Sequence, residues 1–423
     1  MGELTSNCPK PMLPVAGKPL LQHILEFLSA SGVTDFILAA RYKAEIIEQY
    51  FSAEALGARF PVRIHVEDQP MGTAGSLPAL APLLDDNFVL YYGDELADFR
   101  LAEFASDHLQ HSPLATILVR PSHHPWDGHL IQVDASGDMT EFATHLQPGR
   151  LYQNRGNLGI YVLNREILHY IEPRKMGFVE DVFPKVLEAG GRIRVHELES
   201  SGYVKDVGTP QRIDEVETFL RHRSMIEAAR SNRQPVETVF LDRDGVLVED
   251  LGLVRRKEDV RLLPGAAEGL RLLNEHGLRT VMVTNQPVVA RGLCTEEDLA
   301  EIHAELARQL AVAGAHWDAL YYCPHHPETH YGEGVVKLRR GCDCRKPRAG
   351  MLLRAADELK LNLGASVMVG DSSVDVEAGQ NAGVRTVLVE TGKQRIAAGG
   401  PKADYVFPGL LEAARAIVSG GIR

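Results

Sequence analysis

Short apolar strands that stop at a polar residue alternate with amphipathic helices along this chain, and no other feature constrains its fold as strongly. In the second half the order is strand "TVFLDRDG", helix "AAEGLRLLNEHG", strand "RTVMVTNQ", helix "EEDLAEIHAELARQLAVAG" and strand "ALYYC". A cysteine-rich stretch follows, then helix "GMLLRAADEL", strand "SVMVGDS", helix "DVEAGQNAG" and strand "TVLVE". The first half repeats the scheme: helix "LLQHILEFLSASG" stopped by Gly32, strands "DFILAA" and "VRIHVED", helix "SLPALAPLL" and strand "NFVLYYGD". Strands also read in "LATILVRP", "GHLIQVDASGDMTEF" and "GNLGIYVLN", with a hairpin turn at Ser136-Gly137. Strand–helix alternation requires crossovers between parallel strands. The expected class is therefore α/β, with two domains that are each a mostly parallel sheet flanked by helices. Functional residues then belong at the carboxyl ends of the strands.

At 423 residues the chain exceeds one ordinary core. The pattern restarts after the polar stretch "RSMIEAARSNRQPV", which divides it into a domain over 1–222, a linker or linker helix over 223–236, and a domain over 237–423. A net charge of -12 argues against a non-specific nucleic-acid binder. No apolar run approaches the ~20 residues of a membrane span, and the polar opening carries no secretory signal. "MGELTS" fits a myristoylation pattern too short to carry an assignment. Five cysteines do not make a disulfide scaffold, and three of them stand beside histidines, so a reducing, cytoplasmic setting is expected.

In the second half, Asp242 and Asp244 lie just past a buried strand and before a glycine. Alone, such a pair is often a surface turn. Here Thr284 and Asn285 end a second strand, Lys346 follows in "CRKP", and Asp371 ends another strand with Asp375 behind it. Carboxylates, a hydroxyl and a lysine at successive strand ends, in this order, resemble the haloacid dehalogenase superfamily of phosphatases over residues 237–408. The resemblance implies Mg²⁺ held by Asp242, Asp371 and the Asp244 backbone carbonyl. It implies attack by Asp242 on phosphorus and proton transfer by Asp244. Thr284 and Lys346 would hold the phosphoryl oxygens, Asn285 would bind substrate beside them, and Asp375 would orient Lys346 or the metal shell, or cap a helix.

The stretch "YYCPHHPETHYGEGVVKLRRGCDCRKP" pairs Cys323-x-His325 with Cys342-x-Cys344. Two thiol-rich pairs spaced by a loop have the donor composition of a structural Zn²⁺ site, with His326 and His330 as competing ligands. Such a metal would fix the loop that delivers Arg345 and Lys346. "FLDRDGV", "TNQPVVARG", "YYCPHHPE" and "CDCRKPRAGML" resemble the D-glycero-D-manno-heptose 1,7-bisphosphate phosphatases, with Arg345 binding substrate beside Lys346. Histidinol-phosphate phosphatases are the related alternative, with a shorter metal loop. Pro287-Val288 departs from the Ser-Gly familiar at that point in the substrate loop.

In the first half, "PKPMLPVAGKPLL", "EDQPMGTAGSL", "YYGDELADF" and "YVKDVGTPQRIDEV" resemble, in order, the sugar-1-phosphate nucleotidyltransferases over residues 4–220. The resemblance implies Lys10 on nucleotide phosphates, Gly72 and Thr73 beside the base or ribose, Mg²⁺ on Asp94 and Asp206, and Asn157, Gly159 and Gly128 at the sugar. "PMGTAG" favours GTP as the nucleoside triphosphate. The family's first strand and its G-G-x-G-T-R loop have no counterpart ahead of "MGELT", and His145 stands where the family has a lysine. Two readings follow. In one, a phosphatase half removes the C7 phosphate of a phosphorylated heptose and a transferase half uses the remaining heptose 1-phosphate. In the other, the first half is an inactive binding module. The chain is expected to be a truncated version of a longer protein that binds nucleotide without turnover.

Overall fold

The computed structural model describes residues 7–52, 59–122, 130–143, 152–199, 202–327, 334–392 and 399–422. Gly128, His145, His330 and the opening residues 1–6 lie outside them. Two compact units, Met1–Leu220 and Arg221–Arg423, divide the chain.

The N-terminal unit opens with a two-residue hairpin, β1 (Pro14–Val15) and β2 (Lys18–Pro19), followed by the helix Leu20–Ala30. Strands β3 (Phe36–Ala40) and β4 (Val62–Val66) pair in parallel. The main sheet is built around β10 (Gly156–Asn164), which runs antiparallel to β5 (Asn87–Tyr91) and β7 (Ala115–Arg120). It also meets β8 (Leu130–Val133), whose hairpin partner is β9 (Met139–Ala143). The turn between them contains Gly137 at φ 85°, in the left-handed region glycine tolerates. Strand β11 (Ile193–Glu197) joins β7 in parallel. A separate antiparallel pair joins β6 (Glu95–Asp98) to β12 (Tyr203–Asp206). The unit is α/β as expected, but its main sheet is mixed: β10 enters from the β8–β9 hairpin, and that route reverses its direction. Successive residues face opposite cores, Leu118 and Ile160 on one side, Ile117 and Tyr161 on the other. Among the described residues, β3 pairs only with β4 and β5 only with β10.

The C-terminal unit is one six-stranded sheet, parallel throughout. Its strands are β13 (Thr238–Leu241), β14 (Arg279–Asn285), β15 (Ala319–Cys323), β16 (Ser366–Gly370), β17 (Arg385–Val389) and β18 (Tyr405–Phe407), in spatial order β15-β14-β13-β16-β17-β18. Every residue of β13 and β16 is buried, because helices cover both faces; this is why they read as unbroken apolar runs. Val239 and Leu241 pack into one core, Phe240 into the other. The polar stretch beginning at 223 is helical to Ser231, as part of the helix Pro210–Ser231. Ala229 is buried there, and Met225 and Ile226 pack beside it against the second core. No helix among the described residues is long and apolar enough to cross a membrane.

Candidate active site and metal cluster

Four neighbouring parallel strands deliver the chemistry of the C-terminal unit. β15 ends in Cys323, β14 in Thr284 and Asn285, β13 leads into Asp242, and β16 into Asp371. They border a cleft of about 190 Å³ lined by Asp242, Asp244, Asn285, Arg345, Lys346 and Asp371 among others. Lys346 is 2% exposed, and its ammonium lies 2.9 Å from Asp242 Oδ1 and 2.6 Å from Asp375 Oδ1. Its third contact is the Val283 carbonyl at 2.8 Å. Burial opposes the lysine's charge, but the Asp242 and Asp375 carboxylates outweigh it and raise its pKa.

One lysine does not neutralise the carboxylates around it. Oxygens of Asp242, Asp371 and Asp375 lie within 4.8 Å of one another. Burial, only partly offset by Lys346, pushes Asp242 up to about 7, and burial together with Asp242 pushes Asp371 to about 8. Buried hard oxygens with surplus negative charge are the environment a small divalent cation relieves. Asp375 is the least available of the three, because its other oxygen accepts from Ser372 N at 3.2 Å and Oγ at 2.5 Å. Gly245 has φ 79°, and a Cβ there would lie 2.2 Å from Asp371 Oδ2. The backbone is thus shaped around the carboxylate.

Asn285 lines the cleft and also ties down the loop that carries Lys346. Its amide donates to the Lys346 carbonyl and its oxygen accepts from Lys346 N, both at 3.0 Å, latching the lysine loop to the end of β14. Thr284 Oγ1 accepts from Gln286 at 2.8 Å, leaving the hydroxyl proton for another acceptor. Arg345 donates to the His325 carbonyl at 3.2 Å. The Asp244 side chain does not join the carboxylate cluster: Arg243 and Gln286 hold it. Those two residues and His303 behind them were missed in the sequence. The available signal was an arginine set between two aspartates directly after the apolar run of "VFLDRDGVLV".

The four predicted metal ligands come together. Cys323 Sγ lies 3.5 Å from Cys342 Sγ and 3.7 Å from His325 Nδ1, and Cys344 Sγ lies 3.3 Å from Cys342 Sγ and 3.4 Å from His325 Nδ1. Metal–sulfur bonds of about 2.3 Å in a tetrahedron give edges of about 3.8 Å, so the cluster is slightly tight but of the right form. Hydrogen bonds from Cys323 and Cys344 pull the Cys342 thiol down. His326 instead faces Arg291 Nη2 at 3.1 Å.

In the N-terminal unit Lys10 Nζ lies 2.5 Å from Asp94 Oδ2, and Arg212 Nη1 2.6 Å from Asp206 Oδ2. The β6–β12 register puts Asp206 opposite Glu95, so both aspartates sit at one end of that pair. Each already has a cation from the chain on one oxygen, Lys10 on Asp94 Oδ2 and Arg212 on Asp206 Oδ2. Between them, burial and the Asp94 and Asp206 charges hold Glu95 well above the usual carboxylate range. Gly72 and Gly75 are required by the chain itself: a Cβ on either would lie 2.3 Å or 1.9 Å from the carbonyl oxygens of Met176 and Arg174. Thr73 Oγ1 accepts from Phe178 N at 3.0 Å, and Asn157 donates to the Tyr161 hydroxyl at 2.8 Å. A larger cavity, about 370 Å³, opens beside Arg120 and Arg155. Both cations are engaged, Arg155 with Glu197 and Arg120 with the Val204 carbonyl.

Comparison with known proteins follows the same division. Residues 1–223 match the family described as nucleotidyl transferase, and residues 343–413 the one described as HAD-hydrolase-like. Over 185 residues the chain is 40% identical to the D-glycero-beta-D-manno-heptose-1,7-bisphosphate 7-phosphatase of Yersinia pestis, covering 44% of this chain and 96% of that protein. The protein of the same name from Escherichia coli K12 is 39% identical over 183 residues, 43% of this chain and 94% of its own. Among solved structures, the D,D-heptose 1,7-bisphosphate phosphatase of B. bronchiseptica, complexed with magnesium and phosphate, is 32% identical, covering 44% of this chain and 99% of that one, with a TM-score of 0.39. Through its first 223 residues the chain belongs to the nucleotidyl transferase family, and through its C-terminal half to the HAD-type hydrolases related to the heptose bisphosphate phosphatases.

Proposed function

We propose that the C-terminal unit hydrolyses the C7 phosphate of D-glycero-D-manno-heptose 1,7-bisphosphate, and that the N-terminal unit transfers a nucleotidyl group, guanylyl from GTP, to the resulting heptose 1-phosphate. The observation that carries the hydrolase reading is Lys346, buried between Asp242 and Asp375 beside Asp371. Asp242, Asp371 and the Asp244 carbonyl would hold Mg²⁺, which supplies neutralisation of the phosphate's charge. Asp242 attacks phosphorus and becomes an aspartyl-phosphate, while the leaving alkoxide takes a proton from Asp244. Asp244 then accepts a proton from the water that cleaves the acyl-phosphate. Thr284 and Lys346 hold the phosphoryl oxygens, and Arg345 faces the rest of the substrate.

Cys323, His325, Cys342 and Cys344 would hold a structural Zn²⁺ that fixes the loop carrying Arg345 and Lys346. The transferase reading rests on family membership and on Lys10, Gly72, Thr73, Asp94, Asn157 and Asp206 in motif order. The direct test is phosphate release from heptose 1,7-bisphosphate with product analysis. C7 cleavage is expected, with kcat/KM well above that for histidinol phosphate, and Asp242→Asn should abolish it. A preference for histidinol phosphate, or an Asp242→Asn variant above a tenth of wild-type rate, would overturn the reading.

A further inference from the structure

Arg243 stands between the two aspartates of the site, yet its side chain points into the interior and is 1% exposed. Its Nη2 donates to both Asp244 oxygens, at 3.0 and 2.9 Å, and its Nε to Oδ1 at 3.2 Å. Gln286 adds a fourth bond, Nε2 to Asp244 Oδ2 at 2.9 Å, and accepts from Arg243 Nη2 at 2.9 Å. Behind them the guanidinium meets His303 Nε2 at 3.3 Å. A guanidinium has no acceptor, so His303 must be neutral and accept through Nε2. Burial, with Arg243 beside it, keeps the imidazole uncharged down to about pH 3. Every group around Asp244 is a donor, and both its oxygens are engaged. A carboxyl group held this way has a fixed direction.

We propose that Arg243, backed by Gln286 and His303, is a positioning residue that fixes the direction of the Asp244 carboxyl group for the second half of the reaction, the attack of water on the aspartyl-phosphate. In that step a water O–H bond breaks, its proton passes to the Asp244 carboxylate, the oxygen bonds phosphorus, and the Asp242–phosphorus bond breaks to release phosphate. In the first half the same carboxyl group gives its proton to the leaving alkoxide. This rests on reading Asp244 as the proton-transfer residue of the hydrolase.

Two substrates separate the halves. p-Nitrophenolate leaves without a proton, so only the second half needs Asp244, whereas a sugar phosphate needs it in both. Arg243→Met should lower kcat by about 10- to 100-fold on both substrates, within the range of lost acid–base assistance, and change KM less than about 3-fold. It should also show a burst of p-nitrophenolate of about one per site, as the aspartyl-phosphate accumulates. If Arg243→Met does not fold, Arg243→Lys carries the test, because it keeps the buried charge and loses the fork. A loss confined to the sugar phosphate, a rise in KM with unchanged kcat, or no burst would overturn the proposal. If wild type cleaves p-nitrophenyl phosphate but not the heptose bisphosphate, the substrate assignment fails while the clamp is still tested.

Discussion

Asp242 and Asp371 are both held above the usual carboxylate range, at about 7 and about 8, chiefly by burial. The folded unit therefore binds protons that the unfolded chain has released, and without a divalent cation its stability should fall as pH rises between about 4 and 8. Thermal melts in a chelator should show Tm dropping over that window, and added Mg²⁺ should flatten the dependence. A metal-free Tm that rises from pH 5 to 8 would contradict the assigned geometry. The sequence was legible where a residue's place follows from the end of a strand, as for Asp242 and Asp371. It was not legible where the role depends on contacts across the fold. The bond from Asn285 to Lys346 spans a stretch of chain that no local pattern links, and the clamp on Asp244 was hidden for the same reason.

Among the elements, the turn after β13 has little freedom. Gly245 needs its left-handed φ, and a side chain there would strike Asp371. Gly245→Ala should cost at least 1 kcal/mol in denaturant melts and lower kcat more than tenfold. An alanine variant of wild-type stability and rate would remove the crowding argument. The thiol loop makes a second prediction: Cys342→Ser/Cys344→Ser should lose one tightly held zinc per chain by metal analysis, and with it much of the hydrolase rate, through the looser Lys346 loop. Zinc retained by that variant would move the ligands elsewhere. The parallel strands of the C-terminal sheet were readable because burial on both faces leaves continuous apolar runs. The direction of β10 was not, since pairing direction depends on the route of the connection rather than on the strand's own residues.

Each unit has its own buried clusters, and the helix Pro210–Ser231 continues past the boundary at Leu220. Because Met225, Ile226 and Ala229 pack against the C-terminal core, a fragment beginning at residue 221 should fold and hydrolyse phosphate on its own. A fragment beginning at 237 should melt lower, by about 2–4 °C for each kcal/mol of packing lost. Equal melting temperatures would make residues 221–236 a mere spacer. The polar composition of that stretch concealed this role, since few of its residues face the core.

A single backbone through both units also fixes how many copies of each are made. Translation produces them one for one, so regulation of gene expression cannot favour one activity over the other. If the two units share an intermediate as proposed, any imbalance between its supply and demand must be corrected by turnover rates. A substitution such as Asp242→Asn would then leave a full complement of the N-terminal unit behind an interrupted first step.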